Sequence, residues 1–105
     1  MKKFKVYDTG RHCYLRVGVK DVIALGIQNK ISEFSFLNAK GDMVYLEEDC
    51  DLPLFFKAYR KKYGVDLDCE VIDVSLDGDF LKREVKGTMT IKKQNQKGVT
   101  HGNSN

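Results

Sequence analysis

Apolar and polar residues alternate with a period of two through most of the chain, and the pattern changes to a helical period between residues 52 and 63. Phe4 and Val6 alternate with Lys3 and Lys5, which predicts a first strand over Phe4–Asp8. The turn Asp8-Thr9-Gly10-Arg11 leads to a second strand, His12–Val19, with Cys13, Leu15 and Val17 on one face. The two predict a hairpin. Lys20–Leu25 reads as a short helix ended by Gly26, with Val19, Val22 and Ile23 as its inward stripe. A third strand is expected over Ile31–Leu37, with Phe34 and Phe36 on one face and Tyr45 across from them. The turn Asn38-Ala39-Lys40-Gly41-Asp42 and a fourth strand, Met43–Glu47, follow.

The main helix is expected from Leu52 to Tyr63. Asp51 has the chemistry of an N-cap, Pro53 suits the first turn, and Gly64 follows the last helical residue. Leu52, Phe55, Phe56, Tyr59 and Tyr63 fall on one face, with Lys57, Arg60, Lys61 and Lys62 on the other. Val65–Val74 alternates again and predicts a fifth strand, with Val65, Leu67, Cys69 and Val71 inward and Asp66, Asp68 and Glu70 outward. Asp77-Gly78-Asp79 breaks it. Glu84–Lys92 is a candidate sixth strand in which Gly87 falls on the apolar face.

Two hairpins separated by a short helix, then a longer helix and a returning strand, indicate α+β. The expected architecture is a mostly antiparallel sheet of five to six strands with one main helix and one short helix. Residues 1–91 form the single domain, and 92–105 a disordered basic and polar tail, too poor in apolar area to offset ordering entropy.

Charge sharpens that division. The 105 residues carry a formal +3, but residues 1–80 hold twelve cations against fourteen acids, while residues 81–105 hold six cations and one acid. The body is therefore acidic and the end basic. No run approaches the roughly 18 apolar residues that span a bilayer, and the N-terminal lysines lead into no apolar core of an export signal. The expectation is a cytoplasmic protein without a membrane partner. Cys13, Cys50 and Cys69 form no C-x-x-C pair and are read as free thiols; a zinc site would need more histidine than His12 and His101 provide.

Two acidic features remain. Glu47-Glu48-Asp49-Cys50-Asp51 places four carboxylates where a strand hands over to a helix. Such residues can hold Mg²⁺ with waters, but helix capping and the helix dipole account for the same residues, so no metal and no cofactor are assigned. Asp66, Asp68, Glu70, Asp73, Asp77 and Asp79 form a stretch without Lys or Arg. At about 6.6–6.8 Å between alternate residues, such a row can imitate phosphates, or simply solvate an edge strand. No catalytic set emerges. On a strand His12 and Cys13 point to opposite faces, and both common Gly-rich phosphate-binding patterns are absent.

Three segments together resemble a family of small uncharacterised proteins of bacteriophages and plasmids: His12-Cys13-Tyr14-Leu15-Arg16-Val17, Leu25-Gly26-Ile27 with Lys30-Ile31-Ser32-Glu33-Phe34-Ser35-Phe36, and Tyr45-Leu46-Glu47-Glu48-Asp49-Cys50-Asp51. The resemblance covers about residues 8–62 and centres on a Tyr-Leu-Glu-Glu-Asp-Cys-Asp motif. Tyr14 stands where the family has Trp, and Phe34 and Phe36 where it has Tyr. The resemblance implies a mobile-element origin and a host-cytoplasm setting; it implies no activity.

The functional expectation is a non-enzymatic interaction module that binds a host protein through Glu47, Glu48, Asp49, Asp66, Asp68, Glu70 and Asp73, with inhibition of that protein as one outcome. The alternative is nucleic-acid binding through the basic C-terminal segment, which makes salt-sensitive affinity the discriminating observation. A metal-dependent enzyme at the acidic run comes third.

Overall fold

The computed structural model describes residues 2–84. Lys3–Asp8 (β1) and Cys13–Gly18 (β2) form the first hairpin, followed by a helix at Val19–Ala24 (α1) and a 3₁₀ turn at Gln28–Lys30. Phe36–Leu37 (β3) and Met43–Glu47 (β4) form the second hairpin. Asp51–Tyr63 (α2), Asp68–Asp73 (β5) and Phe80–Glu84 (α3) complete the order. The five strands lie as β3-β4-β2-β1-β5. Every pairing is antiparallel except β1 with β5, so the sheet is mostly antiparallel and the fold is α+β.

Alternation gives the sheet two different faces. Phe4, Val6, Leu15, Val17, Val44 and Leu46 point to one side, where Phe55 of α2 and Val22 of α1 pack on them. Phe55 and Tyr59 both meet the Phe4 ring edge-on at 5.7 Å. The other side carries Tyr7, Tyr14, Phe36 and Tyr45, closed by Phe80 from α3. Phe80 stacks on Tyr7 at 5.0 Å and meets Tyr45 edge-on at 6.3 Å. The second, aromatic core is thus made by a helix of only five residues.

Three expectations about helices and loops change. Asp51 is the first residue of α2 rather than its cap: Cys50 occupies the cap position, and the Asp51 carboxylate turns away to Ser32 and Ser35. Of the predicted apolar stripe on α2, Phe55 is fully buried, but Tyr63 at the far end is half exposed. Gly64 ends α2 with φ +74°, a left-handed conformation that costs glycine nothing. In α1, Val22 is buried while Ile23 faces solvent.

The strands change too. The third strand shrinks from Ile31–Leu37 to Phe36–Leu37, because Ser32 and Ser35 spend their polar groups on Asp51 and hold the chain in turns. Phe34 consequently leaves the Phe36 face and is 64% exposed. The fifth strand begins at Asp68, and its expected inward residues Cys69 and Val71 are exposed, because β5 lies at the sheet edge. Glu84 belongs to α3, and the rest of the candidate sixth strand, like the tail, lies outside the described residues.

Candidate functional site

The acidic run of β4 is consumed largely by its own backbone. Glu47 is buried, and its Oε1 accepts the N–H groups of Asp49 and Cys50 at 3.0 and 3.1 Å. Glu48 reaches back across the sheet, where its Oε1 accepts Cys13 N–H at 3.2 Å while its own N–H donates to the Cys13 carbonyl at 3.1 Å. Asp51 is buried as the acceptor for Ser32 N–H at 3.0 and 3.1 Å, for the Ser32 hydroxyl at 2.7 Å, and for the Ser35 hydroxyl. Only Asp49 of the run faces solvent without such a partner.

Strand pairing adds a residue that local sequence did not connect to these. Tyr14 lies opposite Glu47, so His12, two positions before Tyr14, comes to the same sheet end. Ligand atoms of His12, Glu47 and Glu48 lie within 4.8 Å of one another. The concentrated negative charge shows in its neighbours. Burial first, then Glu47 and Glu48, push the Tyr14 phenol above its ordinary value. Partial desolvation and Glu48 raise the Cys13 thiol, and desolvation and Glu47 raise Cys50. Thiols held protonated in this way are poor nucleophiles.

The second acidic segment is placed quite differently. Asp66, Asp68, Glu70 and Asp73 are all exposed along the edge formed by β5 and the residues before it. Asp66 meets Arg60 at 3.4 Å, a solvent-exposed pair worth little to stability. Asp68 and Glu70 stand in register with Lys3 and Lys5 of β1, so the acidic row has a basic row beside it on the same face. Asp73 pairs in register with Asp8, and Asp8 with Cys13, to which Glu48 bonds. Asp73 and the Glu47–Asp49 run therefore reach the same end of the sheet, while Asp68 and Glu70 lie further down β5.

No family model, curated protein or solved structure matches the chain. Among the described residues, no helix is long and apolar enough to cross a membrane.

Proposed function

We propose that this chain is a non-enzymatic binding module that captures another protein by adding one of its segments to the β5 edge. The observation behind this reading is the character of β5. It pairs only with β1, and its outer edge makes no backbone hydrogen bond among the described residues. Its two faces are both open, with Val71 66% exposed on the α2 side and Asp68 and Glu70 exposed on the other. Unpaired edges of this kind template strand addition, in which main-chain bonds supply affinity and alternate side chains supply specificity.

The alternation also describes the partner. A strand laid against β5 would set every second side chain beside Asp68 and Glu70, and the intervening ones beside Cys69 and Val71. Its matching sequence alternates Lys or Arg with apolar residues. The resemblance to phage and plasmid proteins favours a host protein as the source. Glu47 and Glu48, engaged with backbone amides, serve the fold in this reading, and Asp49 and Asp73 extend the acidic rim.

The experiment compares the wild-type chain with the combined Asp66→Lys, Asp68→Lys, Glu70→Lys variant as bait in host lysate. A partner held by the first and lost from the second, which also slows hydrogen exchange of the β5 amides, supports the reading. Equal capture by both, or protection confined to other strands, overturns it.

A further inference from the structure

On the face away from α2, at the opposite end from the glutamates, β1 and β2 gather positive charge. Lys5 and Arg16 are cross-strand partners, and Lys3 lies two residues along the same face. Directly opposed Cβ atoms are about 4.5–5.5 Å apart, and alternate residues about 6.6–6.8 Å, so the three side chains can converge on one small ligand. With Lys2, Lys20 and Met43 they line a cleft of about 210 Å³.

The carboxylates nearby compensate this charge only in part. Arg16 lies near Asp42, whose carboxyl pKa its charge helps to lower, and beside Tyr45, whose phenol donates to Glu84. Asp42 is bonded to Asn38, however, and Glu84 to Tyr45. Asp21 on the cleft wall is already engaged, its Oδ2 accepting Lys2 Nζ at 2.8 Å and Gly18 N–H at 3.2 Å. Asp68 and Glu70, one strand over, form no ion pair with Lys3 or Lys5, and none is found for Arg16 or Lys20 among the described residues. Residues 85–105 contain four lysines and no Asp or Glu, so no side-chain carboxylate can come from there. Among the described residues Arg16 Nε is buried without a hydrogen-bond partner, while the guanidinium sits beside the phenol of Tyr45, its cross-strand partner. A buried donor left unmade is costly, so an acceptor that reached this nitrogen would relieve that cost.

We propose that the cleft is an anion site that takes the phosphate or pyrophosphate group of a small phosphorylated molecule. A guanidinium edge offers two parallel donors to phosphate oxygens, and flanking ammonium groups supply point charge, a set suited to more than one negative charge. The cleft is smaller than the roughly 300–1,000 Å³ typical of whole-ligand pockets, so it holds the charged group while the remainder projects outward. A nucleic-acid strand is disfavoured because the aromatic rings of this face, which could stack on bases, are closed beneath Phe80.

Calorimetric titration with inorganic phosphate, pyrophosphate and a short single-stranded oligonucleotide tests this, with the Arg16 Nε–H resonance followed by NMR. Saturable one-site binding of pyrophosphate that shifts Arg16 Nε–H is expected. The Lys3→Gln, Lys5→Gln variant, altered only at exposed positions, should weaken it about tenfold or more, the scale of losing a hydrogen bond to a charged group. Asp68→Asn with Glu70→Gln should tighten it by removing competing carboxylates. Absence of saturable binding, or equal affinity in the lysine variant, overturns the proposal. Tighter binding of the oligonucleotide than of pyrophosphate, with a steep salt dependence, overturns the assignment to a small molecule.

Discussion

The Ser32 hydroxyl donates to Asp51 Oδ2 at 2.7 Å, joining the loop before β3 to the first turn of α2 across nineteen residues. Ser32 N–H and the Ser35 hydroxyl converge on the same carboxylate, and Ser35 Oγ in turn accepts Glu47 N–H at 2.9 Å. Loop, strand end and helix are thereby fastened at one buried point. Asp51→Ala should destabilise the fold by about 2–4 kcal/mol, because it strands several buried donors. For a domain of this size that is a loss of roughly 10–25 °C in Tm. Asp51→Asn, which retains one acceptor oxygen, should lose less. A thermal melt showing Asp51→Ala within a degree of wild type would mean that the cluster contributes nothing.

The turn between β3 and β4 depends on one side chain in a similar way. Asn38 Oδ1 accepts the N–H groups of Gly41, Asp42 and Met43 at 2.9, 3.1 and 3.1 Å, while its Nδ2 donates to Asp42 at 2.8 Å. That last bond is the main reason the Asp42 carboxyl sits below its ordinary 3.8. A depressed folded value means the contribution is present above the ordinary pKa and disappears as pH falls through the folded one. Asn38→Ala should raise the Asp42 titration midpoint, read from its carboxyl ¹³C shift, and lower stability by about 1–3 kcal/mol through the orphaned amides. An unmoved midpoint would assign the depression to another group.

These two clusters mark the boundary of what was legible in the sequence. β4 and its turn could be read because Asn38, Gly41 and the alternation after Asp42 act locally, and α2 because its apolar spacing and Gly64 do. The strand expected over Ile31–Leu37 failed on a partner nineteen residues away: nothing in the alternation says that Ser32 and Ser35 belong to Asp51. Alternation in β5 was real, but burial depends on what covers the strand, and at the sheet edge Val71 stays exposed. Phe80–Glu84 is too short for any helical period to show. The approach of His12 to Glu47 and Glu48, and of Lys5 to Arg16, comes from strand register and could not be read before the pairing was known.

High pH should act first on the tie between Tyr45 and Glu84. Burial, reinforced by the hydrogen bond from the phenol to the Glu84 carboxylate, holds Tyr45 well above its ordinary value. The folded state therefore favours the protonated phenol. Its contribution is whole below about pH 10, the unfolded value, and is lost as pH climbs towards the folded one. In an absorbance titration one tyrosine should ionise only as the protein unfolds, and Tyr45→Phe should remove that late step. A late step that survives in Tyr45→Phe would assign it elsewhere, with Tyr14, also raised by burial, the next candidate.

Phe80 decides whether the second face of the sheet is a core or a surface. It is 7% exposed, while Leu76, four residues earlier, is fully exposed. Truncating a buried aromatic costs about 3–5 kcal/mol, so Phe80→Ala should lower stability by roughly that amount, while Leu76→Ala should change stability by no more than about 0.5 kcal/mol. The loss should be local in character, because α2 and the aliphatic core lie on the opposite face. Near-ultraviolet dichroism from Tyr7, Tyr14 and Tyr45 should fall more than the far-ultraviolet signal, and a hydrophobic dye should bind the uncovered rings. Opening those rings beside Lys5 and Arg16 would also create the aromatic and basic platform that single-stranded nucleic acid prefers. Phe80→Ala should then bind an oligonucleotide more tightly than wild type does. If its melting, dichroism and oligonucleotide affinity all match wild type, α3 is not what closes this face.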